Sequence, residues 1–264
     1  MPFETKGRLA IIPPFADPEE RLIVVGDIHG DSHSFNAIKK IFIPDKDLLI
    51  FLGDYADRGP NSVEVIEGVQ ELIKSHPERI IPLKGNHEDY TPEGRPMFTP
   101  CTLIREVETK RGSWRLYFKE LRKNFLDGLY LSATIPGKVL FVHGGISNVI
   151  KSKEDLVNPN ELVEEGILWS DPYEIKGEYG NPRGAGVLFG PDISKEVTKR
   201  LNVKYIIRSH EPGKAPRGPF IEHEGRMVTI SSTRVYGGRS FVLILPFEDL
   251  PKTGNEIEKY IFFL

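Results

Sequence analysis

The chain has 264 residues, enough to bury a sizeable core, and a net charge of −3 with 28% charged residues of both signs. That balance argues against binding nucleic acid or an anionic membrane through bulk charge, and no apolar run reaches the roughly 18 residues of a membrane span. The single cysteine, Cys101, excludes an internal disulfide framework and a cysteine-rich zinc site.

In chain order, the amino-terminal MPFETKGRLAIIPPF lacks the charged start and continuous apolar run of a secretory signal, so a cytoplasmic location is expected. Leu22–Val25 reads as a buried strand. Ser34–Phe42 reads as a helix with Phe35, Ile38, Ile41 and Phe42 on one face. Asp47–Leu52 is a second strand, Ser62–Ser75 a second helix, and Ile80–Leu83 a third short strand. This β-α-β-α-β order predicts a mainly parallel sheet covered by helices. Residues 91–128 change character: TPEGRPMFTP is turn-rich, and Leu103 to Phe125 is charged and helical, broken near Gly112. The Lys and Arg residues there read as a solvated face. After Gly137 the texture turns to β, with strands predicted at Val139–Val142, Lys204–Ile207, Met227–Ile230 and Ser240–Leu245. Pro182–Pro191 and Glu211–Pro219 read as turn-rich loops, where sites often sit. The expectation is an α/β (α+β) fold in one domain over residues 1–264, with 91–128 a variable helical segment.

One pattern recurs along this frame: an apolar strand, then ligand-type residues beside glycine. LIVVGDIHGD carries Asp27 and His29, and LLIFLGDYADRGP carries Asp54, Asp57 and Arg58. IIPLKGNHED carries Asn86, His87 and Glu88; KVLFVHGG carries His143; YIIRSHE carries Arg208 and His210. In sheets flanked by helices, ligands gather beyond the carboxyl ends of strands. Asp27, Asp54, Asn86, His29, His143 and His210 form a mixed oxygen and nitrogen set, suited to manganese, iron or zinc rather than to calcium. Six ligands exceed the four of a closed zinc site, so two metals are the more economical reading. Two metals about 3.5–4 Å apart are a usual arrangement for phosphate ester hydrolysis.

GDIHG, GDYADRG, GNHE, HGG and RSH, in that order, resemble the serine/threonine protein phosphatases of the PPP family, within the calcineurin-like metallophosphoesterases. The resemblance runs from about Arg21 to Gly238 and includes ILWSDP, NPRGAGVLFG and TISSTRVYGG. It implies a calcineurin-like metallophosphoesterase fold of two packed mixed β-sheets flanked by helices. It implies two divalent metal ions, manganese foremost with iron or zinc as alternatives. Asp27 and His29 would hold one ion, Asp54 would bridge both, and Asn86, His143 and His210 would complete the second. A hydroxide bridging the ions would attack phosphoserine or phosphothreonine directly. His87 would be the general acid and Asp57 would orient it. Arg58 and Arg183 would clamp phosphate oxygens, with Tyr236 facing the phosphate.

Phosphorylated proteins are the implied partners, with no nucleic acid and no membrane. A nucleotide hydrolase, such as a symmetrical diadenosine tetraphosphatase, is the alternative on the same ligands, and a non-catalytic phosphoprotein-binding scaffold is a third. The chain departs from the family at SSTRVYGG, where the usual SAPNYCG is replaced at Arg234, Val235 and Gly237, and at Lys84, where an arginine usually precedes GNHE. Arg208 is expected to support the His210 loop, Glu88 to stand behind the ligands, Asp171 to line the groove, and Asp31 to start the following helix.

Overall fold

A computed structural model describes residues 3–13 and 19–264; of the amino-terminal stretch read for a signal, Met1, Pro2, Pro14 and Phe15 lie outside them. A five-stranded sheet has the order Ile261–Phe263, Phe241–Pro246, Arg21–Val25, Asp47–Phe51, Ile80–Pro82. Its last three strands are parallel, joined by the crossover helices Ser32–Ile41 and Ser62–Ser75. Phe241–Pro246 returns antiparallel to Arg21–Val25.

The runs LIVV and LLIF are continuously apolar because both faces of this sheet are covered. Leu22, Val24, Leu48 and Ile50 point to one face, into a core shared with a second sheet. Ile23, Val25, Leu49 and Phe51 point to the other, against Phe35, Ile38, Val63 and Ile66 of the crossover helices. The second sheet has seven strands in the order Glu4–Lys6, Leu9–Ile11, Ser132–Ile135, Val139–Val142, Tyr205–Arg208, Met227–Thr229, Phe220–Glu222. Phe141, Ile207 and Val228 face the first sheet, while Leu140, Val142 and Ile206 face helices beyond it. The result is two mixed sheets packed face to face with helices on both outer sides. A small third sheet joins Asp171–Pro172, Val187–Phe189 and Glu178–Gly180.

The outer helices of the second sheet, Glu161–Trp169 and Pro191–Leu201, fall in the half that reads as β-rich. The first buries Val163, Ile167 and Leu168 and the second Ile193 and Val197 against the second sheet. Their termini carry helix-start signals: Asn160 caps Val163 N at 3.0 Å, and Pro191 opens the second helix. The segment 91–128 forms helices Leu103–Arg111 and Trp114–Asn124, separated at Gly112, whose φ of 85° suits glycine. Leu103, Val107, Phe118 and Leu121 pack into the core on the crossover-helix side of the first sheet. No helix of the described residues is long and apolar enough to cross a membrane.

Ile50 is fully buried between the two sheets. Ile50→Ala is expected to lower unfolding stability by about 2–5 kcal/mol, read as a lower urea midpoint with an unchanged denaturant slope.

Candidate metal centre

The strand ends that carry ligand-type residues emerge on one rim, where the two sheets meet. Asp27, two residues past the end of the Arg21–Val25 strand, forms a parallel bridge to Ser231, just past the Met227–Thr229 strand, so the sheets are stitched together at this carboxylate. Ile28 N and His29 N both donate to the Asp54 carbonyl, at 3.1 and 2.9 Å. Ser209 N donates to the His143 carbonyl at 2.9 Å. The loops turn so sharply that His29, Asp54, Asp57, Arg58 and His210 all have φ between 49° and 68°. Such a backbone costs a non-glycine residue roughly 1–3 kcal/mol and persists only where the surroundings over-determine it. A Cβ on Gly85 would meet Asp54 Oδ1 at 2.3 Å, so the asparagine that follows can approach Asp54 only behind a glycine.

Two convergent groups result. Asn86 Oδ1 lies 3.0 Å from His143 Nε2 and 2.9 Å from His210 Nδ1, and the two ring nitrogens are 3.2 Å apart. Asp54 faces both groups with one oxygen each: Oδ1 is 3.4 Å from His143 Nε2, and Oδ2 is 3.5 Å from His29 Nε2. Asp27 Oδ2 is 3.8 Å from His29 Nε2 and is buried without a hydrogen-bond partner. The imidazoles are oriented from behind. His29 Nδ1 donates to the Ala56 carbonyl and His143 Nδ1 to the Leu52 carbonyl, each at 2.9 Å. A carbonyl only accepts, so both rings are left with an unprotonated Nε2 aimed inward, the state a metal requires.

The electrostatics agree with this reading. Burial, with His87 adding to it, pushes His29 down to about 3, and burial also holds His143 and His210 well below the usual imidazole range. All three rings are therefore held neutral, the form in which an imidazole can ligate a metal. Burial, then the neighbouring Asp27 and Glu88, pushes the Asp54 carboxyl well up, as expected of carboxylates crowded together without a counter-charge. An orphaned buried carboxylate oxygen and converging lone pairs fit a cation, and the groups His29, Asp54, His87 and Asp54, His143, His210 are both able to hold a metal ion.

His87 lies close enough to join the first group, yet its Nδ1 is 2.8 Å from Asp57 Oδ2, where His29 and His143 use backbone carbonyls. Burial opposes the charge on Asp57, but the His87 ring and the amides of Leu103 and Thr102 outweigh it and hold the carboxyl below its ordinary range. Arg58 is exposed beside these residues. Arg183 stands across the site, its Nε donating to Asp171 Oδ2 at 2.9 Å. Tyr236 is 42% exposed with its ring 5.7 Å from that of His29, so it borders the mouth rather than filling it.

The sequence profile of the calcineurin-like phosphoesterases matches residues 20–214. The chain belongs to that family. It is 36% identical over 200 residues to a serine/threonine-protein phosphatase of Caenorhabditis elegans, an alignment covering 71% of this chain and 42% of that protein. Its fold is similar to that of a serine/threonine phosphatase from Saccharomyces cerevisiae, with a TM-score of 0.81 at 24% identity, covering 99% of this chain and 83% of the other. It is also similar to a putative diadenosine tetraphosphatase, with a TM-score of 0.55 at 16% identity, covering 98% of this chain and 97% of the other.

Polar residues stand behind the candidate ligands and bind their loops. Glu88 Oε2 accepts from Asp54 N at 2.8 Å and Gly85 N at 2.9 Å, and Oε1 accepts from Tyr55 N at 3.1 Å. It thereby ties two ligand loops together, and burial pushes its carboxyl up to about 7 despite three amide donors. Asp171 joins the fully buried Arg208 (2.8 Å) to Arg183, so the outer arginine is held by a carboxylate that the inner one anchors. Burial disfavours the Asp171 charge, yet Arg208 and Arg183 hold its carboxyl below the usual range. Ser209 appears in no expected role, but its hydroxyl accepts from Asp27 N and donates to Asp27 Oδ1. Asp31 starts the following helix by accepting from Ser34 N at 3.1 Å, and it also grips Arg234 through the Arg234 backbone N at 2.9 Å and both sides of the guanidinium. Arg234 thus anchors the loop that carries Tyr236 by an ion pair.

Glu88→Gln would turn an amide donor toward at least one of three backbone N–H groups. It is expected to cost about 1–3 kcal/mol of stability and to weaken manganese binding about tenfold or more, read by urea unfolding and by calorimetric titration of metal-stripped protein.

Proposed function

We propose that the protein is a metal-dependent phosphatase acting on phosphoserine and phosphothreonine in proteins. The observation that carries this reading is the Asp54 carboxylate, which offers one oxygen to each of two ligand groups beside the His87–Asp57 pair. Asp27, His29 and Asp54 would hold one divalent ion, and Asp54, Asn86, His143 and His210 a second, with manganese the ion to try first. Two bound ions supply a water of lowered pKa and neutralise charge on the phosphate.

The remaining work falls to this chain's own side chains. Arg58 and Arg183 offer planar donors to the non-bridging oxygens, and Asp171 fixes where Arg183 points. Tyr236 adds a hydroxyl at the mouth. A serine alkoxide is a basic leaving group, so a proton must reach it as the bond to phosphorus breaks. His87 gives that proton from Nε2, because its Nδ1 is engaged by Asp57 Oδ2. Asp57 holds the ring in position.

A protein substrate fits better than a nucleotide for two reasons. The curated relative is named as a serine/threonine-protein phosphatase. The half-exposed Arg183 and Tyr236 stand at an open mouth, which admits a phosphate carried on a large chain.

With manganese added, the protein is expected to release phosphate from a phosphoserine peptide and to leave diadenosine tetraphosphate largely intact. Turnover of the nucleotide alone would replace this reading with a nucleotide hydrolase. His87→Asn is expected to lower kcat by about 10²–10⁴-fold while manganese still binds. A fully active His87→Asn enzyme would remove the acid assignment.

A further inference from the structure

The segment 91–128 lies against the outer side of the His87–Asp57 pair. Asp57 Oδ1, the oxygen that His87 does not use, accepts from Thr102 N at 2.6 Å and Leu103 N at 2.8 Å, where helix Leu103–Arg111 begins. One turn on, the same helix reaches back. Glu106 accepts from Ser62 N through Oε2 at 2.9 Å and from Val63 N through Oε1 at 3.1 Å. Those amides open helix Ser62–Ser75, whose N-cap Asn61 makes no side-chain cap bond and instead donates to Ser32 Oγ at 3.1 Å. Ser62 Oγ in turn accepts from Asp57 N at 3.0 Å. The bonds close a ring from Asp57 through Leu103, Glu106 and Ser62 back to Asp57. Phe98, buried in the same segment, lays its ring 4.5 Å from that of His87.

We infer that Glu106 and Phe98 are positioning residues for His87. Glu106 locks two helix starts together, and each start places amide donors on a carboxylate, the arrangement a helix N-terminus favours. With Oδ1 saturated by that lock, the Asp57 carboxylate cannot rotate, and Oδ2 stays aimed at His87 Nδ1. Phe98 closes the remaining side of the ring, so Nε2 points one way. The inference rests on His87 being the acid proposed above. It assigns the segment 91–128 a part in catalysis through two residues that touch neither metal nor substrate. Lys110, which bonds Glu106 Oε1 at 2.8 Å from the exposed side, closes the lock against solvent.

A positioning residue for a general acid matters in proportion to how far the leaving group needs a proton. Serine alkoxide needs one in the transition state and p-nitrophenolate does not. Glu106→Gln keeps the volume and one acceptor, but presents an amide donor to one of the two backbone N–H groups. With the manganese-loaded full chain, it is expected to lower kcat on a phosphoserine peptide about tenfold, with KM and the kcat on p-nitrophenyl phosphate each within about twofold. Glu108→Gln, exposed on the same helix, serves as the control and should leave both substrates unchanged. If Glu106→Gln does not fold, Phe98→Leu carries the same contrast. An equal loss on both substrates, or no loss on either, overturns the positioning role while leaving the phosphatase reading intact. A wild-type enzyme that never hydrolyses the phosphopeptide overturns both.

Discussion

Two carboxylates, Asp27 and Asp54, are buried within a few ångströms of each other and of three neutral imidazoles, and everything around them is arranged to hold that grouping in place. Left alone, such a cluster is unfavourable, because buried negative charges repel and a desolvated carboxylate resists ionisation. A cation reverses the sign of the problem. The same groups are able to serve as a ligand set whose geometry the protein has assembled in advance. The left-handed backbone at His29, Asp54 and His210 belongs to this constraint, since the strain is stored in the loops that bring the ligands together.

Rigidity comes from the sheets below and from the polar residues behind. Each candidate ligand follows a strand buried on both faces, so its root is packed from both sides. Beyond the strand, the chain is held by bonds that cross between loops. Glu88 ties the Asp54 and Asn86 loops, Ser209 ties Asp27 to the His210 loop, and the Ala56 and Leu52 carbonyls orient two of the imidazoles. The rim repeats the scheme, where buried Arg208 anchors Asp171 and Asp171 holds Arg183.

The segment 91–128 changes meaning when seen in place. In sequence it is a charged helical stretch with a solvated face, and its outer Lys and Arg residues are indeed exposed. Its inner side supplies the amides at Asp57, the Glu106 lock and the Phe98 ring. None of these is visible as a motif, because each acts on a residue 11 to 46 positions away. A carboxylate that caps another helix has no periodic or spacing signature of its own.

What the sequence by itself determined is the set of parts. Apolar runs of strand length followed by glycine and a carboxylate or imidazole located the parallel strands, the crossover helices and the ligand-type residues, since burial on both faces and sharp turns leave local marks. The short edge strands Glu4–Lys6 and Phe220–Glu222 left weak ones, because three residues are too few to show a period. What only the tertiary structure decided is which parts meet. The two-faced position of Asp54, the hub at Asp171, the Arg234–Asp31 pair and the ring of bonds through Glu106 all join residues far apart in the chain. Their energies depend on distance and burial, and those are set by how the two sheets close on each other, not by any local run of residues.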